Sequence, residues 1–274
     1  MGTLDDRPEL LAALTAGITG LASSEHWQRH LDVQATFHQY SFGNAILIAA
    51  QRPGATRVAG FRAWKALGRS VCKDEKALRI LAPMVTKRTA GADGEDEAVI
   101  RGFRYVPVFD ISQTEGDPLP QPCRRLQGDE PEECYSRLAG VAHSLGYSVE
   151  EVELPEGTNG DCAFATRRIR VECRNAPAQR VKSLAHEIGH AILHQGVGDR
   201  RLAELEAEST AYVVCRHLGV DAGRYSFGYV AIWAGGTDQA IAGIRASGAQ
   251  IQRAATLIID GMDMDVEQPK ADVA

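Results

Sequence analysis

The stretch SLAHEIGHAILH, Ser183 to His194, sets two histidines four residues apart with a glutamate directly after the first. On a helix, residues so spaced lie about 40° apart in projection and one turn along, so the rings of His186 and His190 can converge on one ion. Glu187 lies about 100° round from His186, which keeps it from ligating while its carboxylate can reach a water on the ion. The HExxH spacing is a recognised pattern for zinc-assisted hydrolysis, with the histidines as ligands and the glutamate as general base. A catalytic zinc needs a third protein ligand and an open fourth position. The next segment, RRLAELEAESTAYVVCRHLG, offers Glu204, Glu206 and Glu208. An antiparallel helix there would bring a carboxylate over the two histidines.

Other residues are weaker candidates. Glu206 lies about 200° round from Glu204 and is expected in solvent. His194 continues the four-residue series about 80° round from His186, so it is expected to line the cleft or pack rather than ligate. Tyr229, in SFGYVAIW, is a candidate hydrogen-bond donor to an oxyanion. The plain alternative to a metal centre is a packed helical hairpin whose histidines are merely hydrogen-bonded.

The elements that must position these residues follow from hydrophobic period and breakers. Leu184, Ala185, Ile188, Ala191, Ile192 and Leu193 form an apolar stripe, which predicts a helix over 177–195. Further helices are expected at 200–218, 226–234 and 237–257, followed by a disordered polar tail over 259–274. Upstream, a helix over 132–145 precedes YSVEEVEL, DCAFAT and IRVEC, which read as a small sheet. In the first half, helices are predicted at 8–23, 24–38 and 41–51. Strands follow in VCKDEKALRILAP and FRYVPVFDI, separated by the polar loop KRTAGADGEDEAVIRG. Between the halves, EGDPLPQPCRRLQGDEPEE carries four prolines and no hydrophobic period. The expected organisation is α+β: one domain over 1–120 and a mainly helical one with a small antiparallel sheet over 132–258.

Charge divides the halves as well. Residues 1–125 carry 16 Lys/Arg against 14 Asp/Glu, whereas residues 126–274 carry 14 against 22. Within the first half, Arg52 to Arg88 holds ten basic residues against only Asp74 and Glu75. Screening over about 8 Å hides the acidic half from a ligand docked at this segment. Arg57, Arg62, Lys65, Arg69, Lys73, Lys76 and Arg79 can form a phosphate track, with Tyr40, Phe42, Phe61 and Trp64 as stacking faces for unpaired bases; the alternative is that the aromatics are core and the charges an ordinary solvated face. No run approaches the roughly 18 apolar residues of a membrane span, and MGTLDDRPEL lacks a signal-peptide layout. A cytoplasmic chain with no membrane partner is expected. The six cysteines stand singly, without a CxxC pair, and read as reduced, mostly buried thiols.

Two resemblances sharpen this. The segment from AFATRRIRVECRNAPAQRVKSLAHEIGHAILH through ELEAESTAYVV resembles the ImmA/IrrE metallopeptidases, which are similar to gluzincins and thus zincin-like in fold. The family pattern ExxA plus a polar residue matches Glu204, Ala207 and Glu208. The resemblance therefore implies Zn2+ held by His186, His190 and Glu204, with Glu208 orienting a histidine. The segment YSFGNAILIAAQRPGATRVAGFRAWKALGRSVCKDEKALRILAP, continued by VPVFDISQTEG, resembles the N-terminal single-stranded-DNA-binding domain of ArdC-type antirestriction proteins. One departure is Asp74, where that family usually has glycine. The joint implication is a zinc metallopeptidase linked to single-stranded DNA, cleaving a protein substrate that is itself DNA-associated. The alternative implication is a non-catalytic DNA-binding antirestriction protein with a structural zinc.

Overall fold

The computed structural model describes residues 7–88, 97–118, 131–195, 198–221, 225, 227 and 237–264. The chain forms two compact units, one built from residues 1–17 and 43–120 and the other from 18–42 and 121–274.

In the first unit, α1 (Arg7–Thr19) packs on α3 (Phe42–Gln51). A methyl group added at Gly17 would lie 2.6 Å from Ile46 Cγ2, so only glycine permits this approach. The apolar run Ala45 to Ile48 on α3 is buried. The unit's main sheet runs β1 (Val58–Ala59), β4 (Glu97–Asp110), β3 (Leu78–Arg88), in that order. Strand β3 is an edge, and amide side chains satisfy its outward backbone. Asn44 donates to Leu81 O and accepts from Leu81 N, both at 2.9 Å, while Gln51 does the same at Arg79, also at 2.9 Å. Asn44 and Gln51 are two turns apart on α3, which suits alternate residues of one strand edge.

The β3–β4 hairpin is longer than the predicted strands. It pairs from Leu78↔Val108 to Arg88↔Glu97, with a bulge after Met84, and takes in both ends of the expected polar loop. The short helix α4 (Phe61–Ala66), which no periodicity announced, leads into β2 (Arg69–Val71), paired with β5 (Thr114–Gly116). Asp74 has φ 67°. This left-handed conformation explains why glycine is usual there, and Asp is among the few other residues that adopt it.

In the second unit, α2 (Ser24–Thr36) is held by α7 (Arg200–Leu218). Trp27 Nε1 donates to Ser209 Oγ at 2.9 Å, and Tyr212 OH donates to Asp32 Oδ1 at 2.8 Å. These bonds place residues 18–42 with the second unit, although the sequence suggested a continuous first domain over 1–120. Helix α5 (Pro131–Ser144) precedes the sheet β6 (Ser148–Val152), β8 (Arg168–Glu172), β7 (Gly160–Ala163). Strands β7 and β8 are antiparallel, but β6 runs parallel to β8, so the sheet is mixed rather than purely antiparallel.

Helix α6 (Pro177–Leu193) starts with proline at its first position and buries Val181, Leu184, Ala185, Ile188 and Ala191. It packs on α7, whose end is closed by Gly219 at φ 74°. Helix α8 (Asp238–Met264) runs seven residues past the predicted end at 257, so the expected tail over 259–274 is helical at its start. Apart from Phe227, the predicted helix over 226–234 lies outside the described residues, and Tyr229 with it. Among the described residues, no helix is long and apolar enough to cross a membrane. The five described cysteines are free thiols, of which Cys134 and Cys215 are buried.

Candidate metal centre

The α6–α7 crossing sets the geometry. A methyl group added to Gly189 of α6 would lie 3.3 Å from Ala207 Cα of α7. Gly189 therefore serves the close approach of two helices. Glycine on one helix faces alanine on the other, and the ExxA alanine gains a physical reason. Only with small residues at the crossing can the carboxylates flanking Ala207 reach back over α6.

His186 Nε2 and His190 Nε2 stand 3.0 Å apart. Glu204 Oε2 lies 3.5 Å from the first and 3.8 Å from the second. Among the described residues, these three are the cluster whose donor atoms all fall within 4.8 Å of one another. Ligand atoms about 2.0–2.2 Å from a tetrahedral ion sit about 3.3–3.6 Å apart, close to the observed triangle. The donor set, two imidazoles and a carboxylate, suits a borderline divalent ion. Three protein donors leave one position open.

A second layer surrounds this triangle. Glu208 Oε2 lies 3.3 Å from His186 Nδ1, and its other oxygen lies 2.9 Å from Lys182 Nζ. With Nδ1 engaged, His186 turns Nε2 toward His190 and Glu204. On the other side, His190 Nδ1 is 3.0 Å from His194 Nδ1, and His194 Nε2 is 3.0 Å from Glu206 Oε2. Glu206 is not in solvent: it is only 8% exposed and also accepts from Ser247 Oγ of α8 at 2.6 Å. Helical angle correctly turns Glu206 away from Glu204. It could not reveal that α8 covers that face.

Electrostatics follow from these contacts. Burial alone would lower the His186 pKa, but the hydrogen bonds of Glu204 and Glu208 outweigh it and raise it. Burial and then the charge of His186 push His190 down. Glu204 is pulled down, first by its hydrogen bond to His186. Glu187 is 7% exposed, and burial, aided by Asp161 and Glu204 against the pull of His186, raises it to about 7. Such a carboxyl can both take and give a proton near neutrality. A methyl group at Gly160 of β7 would lie 2.9 Å from Glu187 Oε1, so glycine leaves the room this carboxylate occupies. Glu187, His186, His190 and Glu204 line a cleft of about 550 Å³ whose other wall includes Gly160 and Phe164.

The first unit divides the proposed DNA residues. Trp64 is 1% exposed and donates to Phe109 O at 2.9 Å, so it is a core residue and cannot stack on a base. Phe42, which belongs to the second unit, is also buried. Arg69 is engaged by the protein: its guanidinium donates to Thr114 Oγ1 and O and to Gly116 O and Asp117 O. By contrast Arg62, Lys65, Lys73 and Lys76 are exposed, and Arg57 and Arg79 are half-buried. Phe61, next to Arg62, is 55% exposed.

Comparison with known proteins matches two regions of the chain, the first of them continuous across residues 18–42. Residues 8–109 match the family model of the N-terminal domain of the anti-restriction factor ArdC, and residues 143–214 match the IrrE N-terminal-like domain. An uncharacterized Bacillus anthracis protein is 28% identical over 280 residues, covering 84% of this chain and 46% of that protein. The chain thus spans about half the length of this curated relative. Two crystal structures of the antirestriction protein ArdC from plasmid R388 share the fold. The metal-free form has TM-score 0.51 at 20% identity, covering 81% of this chain and 85% of that one. The Mn(II)-bound form has TM-score 0.51 at 21% identity, with 80% and 84% covered. The chain thus carries, in this order, a region similar to the ArdC N-terminal domain and a region similar to the IrrE N-terminal-like domain, on a fold shared with ArdC.

Proposed function

We propose that the second unit is a metal-dependent peptidase and that the first unit tethers it to single-stranded DNA. The observation that carries the reading is the convergence of His186, His190 and Glu204 beside the buried carboxyl of Glu187. A structural ion would be closed by a fourth protein ligand and would have no use for Glu187. The donor set suits Zn2+, and the Mn(II)-bound neighbour is consistent with a divalent ion of this class. His186, His190 and Glu204 would hold the ion, which when bound supplies Lewis acidity toward a peptide carbonyl and its attacking water.

The remaining steps belong to the protein. Glu187 takes the proton from the attacking water and passes it to the leaving amine, and its burial, which favours the protonated form, suits it to hold that proton in between. Glu208 keeps His186 turned toward the ion through Nδ1. The lined cleft receives an extended segment of a protein substrate, and a substrate on DNA would be brought to it by the tether. Exposed Arg62, Lys65, Lys73 and Lys76 with Phe61 would follow the phosphates and stack a base. Arg57 and Arg79 join this track at its half-buried edge.

The test is digestion of a proteome-derived peptide library by Zn2+-loaded wild type and Glu187→Gln, with and without a single-stranded oligonucleotide. Wild type should cleave, and Glu187→Gln should lose about 10²–10⁴-fold in rate while keeping its metal. Equal absence of cleavage in both, with DNA binding intact, would favour the non-catalytic antirestriction reading.

A further inference from the structure

We propose that His194, Glu206 and Ser247 form a relay that positions His190 as a metal ligand, tying the last helix to the metal centre. The relay rests on the reading of His186, His190 and Glu204 as ligands. Its members come from three places: His194 closes α6, Glu206 lies on α7 and Ser247 on α8. Glu206 and Ser247 are buried, and the imidazole of His194 is largely covered.

One arrangement of protons in this chain leaves His190 able to ligate. A carboxylate only accepts, so Ser247 Oγ donates to Glu206 Oε1 and His194 Nε2 donates to Glu206 Oε2. For Nε2 of His190 to keep a lone pair for an ion, its Nδ1 carries the proton and donates to His194 Nδ1 across 3.0 Å. His190 is left with its lone pair on Nε2, the atom that faces His186 Nε2 and Glu204. The orienting role usual for a second layer of hydrogen bonds is thereby extended through two side chains. The far end is anchored as well. Gln34 Nε2 donates to Gly248 O at 3.1 Å, and a methyl group at Gly248 would lie 2.1 Å from the Phe42 ring, which fixes where α8 presents Ser247.

The test uses the full chain and Zn2+ alone, competed against a chromophoric chelator. His194→Ala and Glu206→Gln should each weaken Zn2+ affinity about ten- to a hundredfold. The double variant should be no weaker than the worse single one, since both break the same chain. His194→Gln, whose amide supplies one acceptor and one donor, should recover part of the loss. With Co2+ as probe, the visible spectrum of Glu206→Gln should shift, a change that general loosening of the helices would not produce. Should the variants fail to fold, long-range ¹H–¹⁵N spectra of wild type decide: His194 should be protonated at Nε2 and bare at Nδ1. A His194 protonated at Nδ1, or folded relay variants that bind Zn2+ as tightly as wild type, would overturn the relay while leaving the centre standing. A wild type that takes no Zn2+ would overturn the centre and the relay together.

Discussion

The metal-centre helices and the basic stretch of the first unit carry their chemistry in different ways. In the second unit, spacing along rigid helices decides where donor atoms meet: four residues on α6 and one close crossing with α7 bring three side chains to a point. In the first unit, the ten basic residues from Arg52 to Arg88 pass through helix, strand and turns, and the described side chains among them divide between solvent and the protein's own groups. Arg69 binds the protein's own carbonyls, while Arg62 and Lys65 face solvent. Periodicity on a helix predicts convergence; a run of like charge predicts only composition.

The sharpest break between structural and DNA-facing residues is Trp64. Trp64→Ala should destabilise the first unit by about 3–5 kcal/mol, the cost of emptying a buried aromatic site. Phe61→Ala, at an exposed position, should leave stability nearly unchanged and weaken single-stranded DNA binding by about 1–3 kcal/mol for one lost stacked base. Chemical denaturation beside oligonucleotide anisotropy separates the two, and a folded Trp64→Ala chain losing only DNA affinity would reverse the assignment.

The arginines give the next contrast. Arg69→Ala should cost about 1–3 kcal/mol of stability through its lost charged hydrogen bonds. Arg62→Glu with Lys65→Glu should leave the melting temperature in place and lower DNA affinity. The slope of log affinity against log salt should fall by about 0.7 per phosphate contact removed. A double reversal with an unchanged salt slope would remove these residues from the track.

A smaller effect tests the sheet beside α6. The Glu172 carboxylate accepts from the Arg174 guanidinium at 2.7 and 2.8 Å, from Arg174 N and from Leu154 N. These bonds, that to the guanidinium first, hold its pKa at about 2, below the ordinary 4.5. The stability it contributes is therefore complete above 4.5 and is lost as pH falls toward 2. Glu172→Gln should lower the melting temperature at neutral pH and flatten its fall across that acid window. A variant that melts in parallel with wild type across the window would contradict the link.

The legible and illegible parts of the sequence separate along the same line. Helices α6 and α7 and their antiparallel return could be read, because each depends on local period and short turns, whereas the choice among Glu204, Glu206 and Glu208 rested on the family resemblance. The burial of Glu206 could not, since it depends on α8 arriving from 41 residues away to set Ser247 against it. Nor could the allegiance of α2, which rests on bonds from Trp27 and Asp32 to α7 at separations of 182 and 180 residues. The six-residue helix α4 is too short to show a period, and so Trp64 was open to being taken for a surface ring.

The central claim is that His186, His190 and Glu204 hold the ion while Glu187 acts on the substrate. Equilibrium dialysis of Zn2+ against wild type, His186→Ala, His190→Ala, Glu204→Gln and Glu187→Gln tests it in one measurement. Wild type and Glu187→Gln should each bind about one Zn2+ per chain, and the three ligand variants should fall well below one. A Glu187→Gln chain as empty as the histidine variants, or a Glu204→Gln chain that binds Zn2+ as fully as wild type, would contradict the division between ligand and base.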